Sequence, residues 1–328
     1  MTDTASPHTP QKTALIIGAA GSFGGHAAAA LAKHGWAIRA LARDPAAAQA
    51  KAGPRMPIEW VKGDAMIAED VVAAAHGVDV IVHAANPPAY RNWPGLVIPM
   101  FKNTLAAAKA VGARVLFPGT VYNFGPDAFP LLNEASPQRP LTRKGALRVK
   151  MEQRLAKAAA EGTPVLIVRA GDYFGPQVPS SWLTQGMVQA GRPVSMILNP
   201  SRAGVGHAWA YAPDVAQAMV ELVAREDLSD FEVFHFQGYW MTRGDQMPLA
   251  IRRVVGRKVP ILPLPWVMFR LLAPFVETFR EMIEMRYLWR SPVRLDNSKL
   301  VRTLGREPHT PLDEALRATL VGQGCLPG

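Results

Sequence analysis

The 328-residue chain is 49% hydrophobic and long enough for one large α/β domain with a smaller lobe, so core formation is not in question. Its formal net charge of +10 is scattered, with no basic run interleaved with aromatics, which argues against a nucleic-acid surface and for attraction of anionic small molecules. The single cysteine, Cys325, excludes an internal disulfide framework and a multi-cysteine metal site and fits a reducing, cytoplasmic compartment.

Met1 to Lys12 are polar, carry Pro7 and Pro10 and lack the apolar centre of a secretion signal, so residues 1–12 read as a flexible leader. A first strand, Ala14 to Ile17, then runs into Gly18-Ala-Ala-Gly-Ser-Phe-Gly24 and an Ala-rich helix, His26 to Lys33. Strand, three glycines spaced three apart, and helix form the pattern of a dinucleotide-binding turn. Gly18 closes the turn, Gly21 lets backbone approach a pyrophosphate, and Gly24 lets the helix lie close on the sheet. Ser22 and Phe23 stand at the helix start, where free N–H groups receive phosphate charge.

The second strand, Ala37 to Leu41, lies within Arg39-Ala-Leu-Ala-Arg43. An acidic residue at this strand end accepts from a ribose 2′-hydroxyl, whereas arginine offers a bidentate fork to a 2′-phosphate. Arg43 therefore favours NADP over NAD, with Asp44 expected either to cap the next helix or to contact ribose. Further strands are expected at Ile58 to Lys62, Val78 to His83, Arg114 to Pro118 and Pro164 to Arg169, with Phe231 to Gln237 a seventh candidate and a long helix over Ala146 to Glu161. Strands alternating with helices predict a doubly wound parallel α/β sheet, an NAD(P)-binding Rossmann fold. The Rossmann core is expected over residues 13–170. A mainly substrate-binding lobe follows over 171–328, with some segments returning to the core. Ligand should lie beyond the carboxyl ends of the strands, near the loops after Pro118 and Arg169 and around His207.

Val259 to Val276 is nearly all apolar, but Pro260, Pro263, Pro265, Pro274 and Arg270 interrupt it. A lid, substrate wall or subunit contact suits it better than a spanning helix, so no integral membrane segment is expected. The eight histidines are dispersed and support no metal site.

These segments together resemble the extended short-chain dehydrogenase/reductase superfamily, the NAD(P)-dependent epimerase/dehydratase group. The resemblance rests on Gly18 to Gly24, Gly63-Asp64, Val82-His-Ala-Ala-Asn86, Asn103-Thr104, Val121-Tyr-Asn-Phe-Gly125, Val168 to Pro176, Ala208 to Ala216 and Leu304 to Leu312. It implies that Asp64 lies near adenine and that Ala84 and Ala85 border the nicotinamide ribose. It also implies a Tyr-x-x-x-Lys pair on one helix face, in which lysine holds the ribose and tyrosine exchanges a proton with substrate. Aligned on this chain, Lys150 takes the lysine position and Ala146 the tyrosine position, while Pro118 stands where the family has a serine or threonine. Thr120 and Tyr122, with Tyr173, are the candidates for replacing the lost hydroxyls, and Arg143 and Lys144 for a cationic substitute. His83 and His207 read as structural histidines.

The function expected is NADP(H)-dependent oxidation or reduction of a small or medium hydrophobic carbonyl or alcohol with a non-standard proton donor. The alternative is a non-catalytic NADP(H)-binding sensor. Sugar-nucleotide epimerase or dehydratase chemistry is disfavoured by the missing tyrosine. The expected partners are a small-molecule substrate and, by resemblance, a second copy in a homodimer, but no nucleic acid.

Overall fold

The computed structural model describes residues 11–53, 56–86 and 93–328. The expected leader lies outside the described residues up to position 10. Seven strands form the central sheet: β1 (Thr13–Ile17), β2 (Ala37–Ala42), β3 (Ile58–Lys62), β4 (Val80–His83), β5 (Arg114–Thr120), β6 (Val165–Ala170) and β7 (Phe231–His235). Their order is β7-β6-β5-β4-β1-β2-β3, and every neighbouring pair is parallel. This is the predicted doubly wound Rossmann-like sheet. The order reverses between β1 and β4, which opens a crevice at the carboxyl end of those two strands.

Side chains alternate across the sheet, as strand geometry requires. Leu15, Ile17, Val115 and Phe117 pack under α3 (Ala68–Ala74), α4 (Trp93–Val111) and α5 (Arg143–Ala160). On the other face Ala14, Ile16, Leu116 and Val168 pack against α1 (Ser22–Lys33) and α6 (Ala212–Val223). A short helix, α2 (Pro45–Ala52), starts with proline in its first turn and is capped by Asp44, whose carboxylate accepts from Ala47 N–H at 3.0 Å.

Two boundaries differ from expectation for local reasons. β5 continues through Pro118 to Thr120, because its pairing with β4 ends at Leu116 and the missing proline N–H interrupts no ladder on that side. The helix expected from Ala146 begins at Arg143, since Thr142 accepts from Gly145 N–H at 2.9 Å and caps it there.

The second half builds a lobe over the carboxyl ends of the strands. Asp172–Phe174 and His207–Tyr211 pair in parallel, and Tyr239–Met241 adds antiparallel to the latter. Helices α7 (Gln246–Val255), α8 (Trp266–Leu272), α9 (Glu277–Glu284) and, after α10 (Ser298–Leu304) has returned to the sheet beside β7, α11 (Leu312–Gly322) complete it around a core that includes Trp182, Trp209, Leu288 and Trp289. Carboxylates tie the closing segment to the Rossmann half. Asp214 accepts from Thr310 N–H and Oγ1–H at 2.8 and 2.7 Å, and Glu307 accepts from Gln237 and Gly238 N–H at 2.8 and 2.9 Å.

Candidate functional site

The glycine turn sits on the β1/β4 crevice. Gly18 has φ +96°, and a Cβ there would lie within 3 Å of the Ala84 and Ala85 backbone. A Cβ on Gly24 would lie 2.2 Å from Gly18 O, so α1 can pack this close to the turn only with glycine at that position. Gly21 donates to Gly18 O at 2.9 Å and forms the N-cap of α1 without a side-chain cap. No acidic residue stands in the first turn, so nothing competes for the positive end of the helix. Ser22 is half-buried, Phe23 is buried, and Phe23 meets Tyr173 edge to face at 5.6 Å.

At the other end of the crevice Arg43 is exposed just past β2. Arg39 is committed elsewhere, to Glu59 at 2.9 Å and to the Ala74 and His76 carbonyls. Asp64 is half-buried; its Oδ1 accepts from Met66 N–H at 2.9 Å, and its own N–H donates to Asp70. Ala84 and Ala85 are half-buried, and Ala84 N–H donates to Ile17 O at 2.9 Å.

Helix α5 corrects one expectation. Lys150, expected at the ribose, and Ala146 are both exposed. The inward stripe runs instead through Lys144, Arg148 and Glu152, four residues apart. Residue 150 lies roughly 200° round the helix from residue 148 and so cannot share its direction. The Arg148 guanidinium sits over the Phe117 ring of β5 at 5.6 Å, and its charge reaches both His83 and Tyr173. Lys144 is buried, with Nζ 2.5 Å from Glu281 and 3.4 Å from Glu284 of α9; the same Glu284 carboxylate accepts from the N–H groups of Arg143 and Lys144. Arg143 itself is exposed. Glu152 forms a buried pair with Arg169, at 2.6 Å to Nη2, and also accepts from Gln138. The sequence signal that could have found this stripe is the repeat of polar residues at 144, 148 and 152.

A second polar chain lies beyond β5 and β6. Tyr122 Oη–H donates to Asp172 Oδ1 at 3.0 Å, and Asp172 Oδ2 meets His207 Nε2 at 2.7 Å. His207 Nδ1 faces the Leu288 carbonyl at 3.3 Å, so both ring nitrogens are held between fixed oxygens. The ring stacks on Trp289 with centroids 3.8 Å apart and planes 8° from parallel. Asp172 and His207 are both buried. Thr120 accepts from Tyr122 N–H at 3.3 Å and caps the short turn Val121–Asn123. Tyr173 donates to Gly119 O at 3.0 Å, and burial raises its pKa above the ordinary phenol value. The sequence reading took His207 for a packed histidine and did not single out Asp172, since the two lie 35 residues apart. Among the described residues no group of three His, Cys, Asp or Glu could hold a metal ion.

The sequence pattern of the NAD dependent epimerase/dehydratase family matches residues 14–234. The chain belongs to this family. Its fold is similar to that of solved structures over nearly the whole length. A Burkholderia cenocepacia J2315 protein, provisionally assigned as an epimerase, is 21% identical with a TM-score of 0.74, covering 97% of this chain and 99% of its own. UDP-glucose 4-epimerase from Bifidobacterium longum, in complex with NAD+ and UDP, is 15% identical with a TM-score of 0.72, covering 96% and 100%. The Thermotoga maritima UDP-glucose 4-epimerase, with UDP-glucose, is 18% identical with a TM-score of 0.71, covering 94% and 97%. No curated protein matches the chain.

Two buried histidines make the stability of this epimerase/dehydratase family member acid-sensitive. Burial, then the Arg148 charge, lowers the His83 pKa to about 3; burial, then the Arg169 charge, lowers that of His235 to about 3. His83 Nδ1 meets Thr104 Oγ1 at 2.8 Å, and its Nε2 has no partner among the described residues. Both rings are neutral when folded, while an unfolded histidine takes up a proton near pH 6.5. The unfolded state therefore binds more protons between these values. Stability is fully present above about pH 6.5 and falls by about 1.4 kcal/mol per pH unit for each ring as pH drops toward 3. Urea unfolding at stepped pH should show this slope, and His83→Gln should remove about half of it; a slope unchanged in that variant refutes the assignment.

Proposed function

We propose that this protein is an NADP(H)-dependent oxidoreductase acting on a small or medium hydrophobic carbonyl or alcohol, with Tyr122 as the proton-transferring group. The observation that carries the reading is the Tyr122–Asp172–His207 chain just beyond the carboxyl ends of β5 and β6, half-buried at Tyr122 and buried at Asp172 and His207. Its neighbour Tyr173 touches Phe23 of the glycine turn.

A nicotinamide dinucleotide fits the residues present. The Gly18 and Gly24 cradle, which a Cβ would fill, and the uncapped start of α1 suit a pyrophosphate. Gly21, Ser22 and Phe23 would complete that contact. Ala84 and Ala85 would border the nicotinamide ribose, Asp64 the adenine side, and exposed Arg43 a 2′-phosphate. Arg148 takes the ribose-side cation role first assigned to Lys150. When bound, the dinucleotide supplies or takes up a hydride.

The chain's own groups manage the proton. Tyr122 Oη–H, which donates to Asp172 Oδ1 at rest, would turn to a substrate oxygen as negative charge grows there. Asp172 bridges the phenol and His207 Nε2, so the carboxylate would relay the replacing proton from that side. Trp209 and Trp289 pack directly on the His207 ring and exclude water from that end of the chain.

The test is titration of the full chain with NADPH and NADH, followed by turnover with a panel of aldehydes and ketones. NADPH should bind more tightly, and Arg43→Ala should weaken NADPH alone by about tenfold, the loss of one charge-assisted contact. NADPH affinity undiminished in that variant would remove Arg43 from 2′-phosphate recognition. Tyr122→Phe should lower kcat by about 10²–10⁴ with NADPH affinity unchanged. Undiminished turnover would remove Tyr122 from the chemistry.

A second reading, a dinucleotide-occupancy sensor, draws on Lys144. Its ion pairs with Glu281 and Glu284 join the first turn of α5 to α9, offering a link from the crevice to the lobe surface. Turnover without any change in partner affinity would sink it.

A further inference from the structure

The segment from Trp266 to Val276 turns an apolar face to solvent. Phe275 is 85% exposed, Val267 73% and Leu271 69%, and Met268, Leu272 and Val276 are exposed as well. Single exposed apolar residues are ordinary, but a continuous run of this kind marks a contact surface. The inner side of the segment is anchored. Phe269 is buried and stacks on Phe279 at 4.4 Å, and Trp266 Nε1–H donates to Pro200 O at 3.0 Å. The outward face is therefore a fixed platform.

Positive charge surrounds it. Arg270 and Arg290 are exposed, and Arg286 stands close enough to both that burial and then their charges lower its pKa. Arg280 on α9 is exposed too. The α9 carboxylates Glu281 and Glu284 are turned inward onto Lys144 and the start of α5, which leaves Glu277 as the acidic residue of α9 facing outward.

We propose that this face docks the protein peripherally on an anionic phospholipid bilayer, with Val267, Leu271 and Phe275 entering the interface and Arg270, Arg286 and Arg290 meeting headgroup phosphates. A second copy is the weaker occupant. A two-fold contact pairs a patch with itself and would press the two arginine clusters together, whereas an anionic surface neutralises them. Spanning is excluded for α8, which at seven residues is roughly 10 Å long against a hydrocarbon core of about 30 Å. No helix among the described residues is long and apolar enough to cross a membrane. The docking surface is independent of the dinucleotide reading.

The test is co-sedimentation of the full-length protein with mixed phosphatidylglycerol–phosphatidylcholine vesicles and with phosphatidylcholine vesicles alone. Binding should require the anionic lipid and weaken with added salt. The charge-neutral double variant Leu271→Ser/Phe275→Ser should lower the vesicle partition constant at least about tenfold, since two apolar side chains no longer enter the interface. Arg270→Ser should weaken binding separately, which keeps the proposal testable if the double variant fails to fold. Three results would overturn it: no binding to anionic vesicles, binding undiminished in the double variant, which would be adsorption by net charge alone, or a concentration-dependent dimer that the double variant dissolves in the absence of vesicle binding.

Discussion

Gly24→Val is expected to weaken NADPH binding by at least about 100-fold, roughly 2.7 kcal/mol, while lowering stability by about 1–3 kcal/mol. The cause is one contact. A Cβ at position 24 would stand 2.2 Å from Gly18 O and 2.7 Å from Gly18 C, both backbone atoms that no rotamer change can move aside. The start of α1 must retreat, which carries its N–H groups away from the place a pyrophosphate would occupy. Gly35→Ala is the matched control. Gly35 has φ +82° with nothing within 4 Å of its missing Cβ, so alanine there should cost about 1–2 kcal/mol through backbone strain and leave binding intact. Fluorescence titration of both variants decides the matter. Wild-type affinity in Gly24→Val would show that the glycine turn does not hold the dinucleotide.

Glu152→Ala should destabilise the protein by about 3–5 kcal/mol, because it strands a buried guanidinium. Arg169 is 3% exposed, and its Nε and Nη2 both reach the Glu152 carboxylate. Its Nη1 faces His235 Nε2 at 3.2 Å, and the group lies over the Phe124 ring at 5.4 Å. None of these neighbours can replace the lost charge. Replacing both partners with apolar residues, as in Glu152→Leu/Arg169→Met, should be much milder than either single loss, since no charge is then left buried. Urea midpoints for the three variants form the test. A loss below about 1 kcal/mol in Glu152→Ala would mean that Arg169 finds another partner or water.

The same pair shows where sequence reading stopped on α5. Helical periodicity tells which residues share a face, and Lys144, Arg148 and Glu152 share one as surely as Ala146 and Lys150 share another. It does not tell which face turns inward. That phase is set by groups far along the chain: Arg169, 17 residues from Glu152; Glu281, whose carboxylate meets Lys144; and the Tyr122 carbonyl, against which Gly145 lies too close to carry a Cβ. Lys150, where the sequence reading placed the family's lysine, stands two residues from Arg148 and turns its side chain out to water.

What the amino-acid sequence determined by itself was the Rossmann half: seven strands nearly at their observed bounds, the glycine turn, and membership of the family whose pattern covers residues 14–234. These features are local. An apolar run, a glycine spacing and a capping residue each act within a few positions of themselves. Only the tertiary structure decided the α5 face, the alliance of Tyr122 with Asp172 and His207, and the outward apolar side of α8. Those depend on side chains 50 and 35 positions apart meeting after the lobe has folded over the sheet, and contact at such separation is a property of packing that no local pattern records.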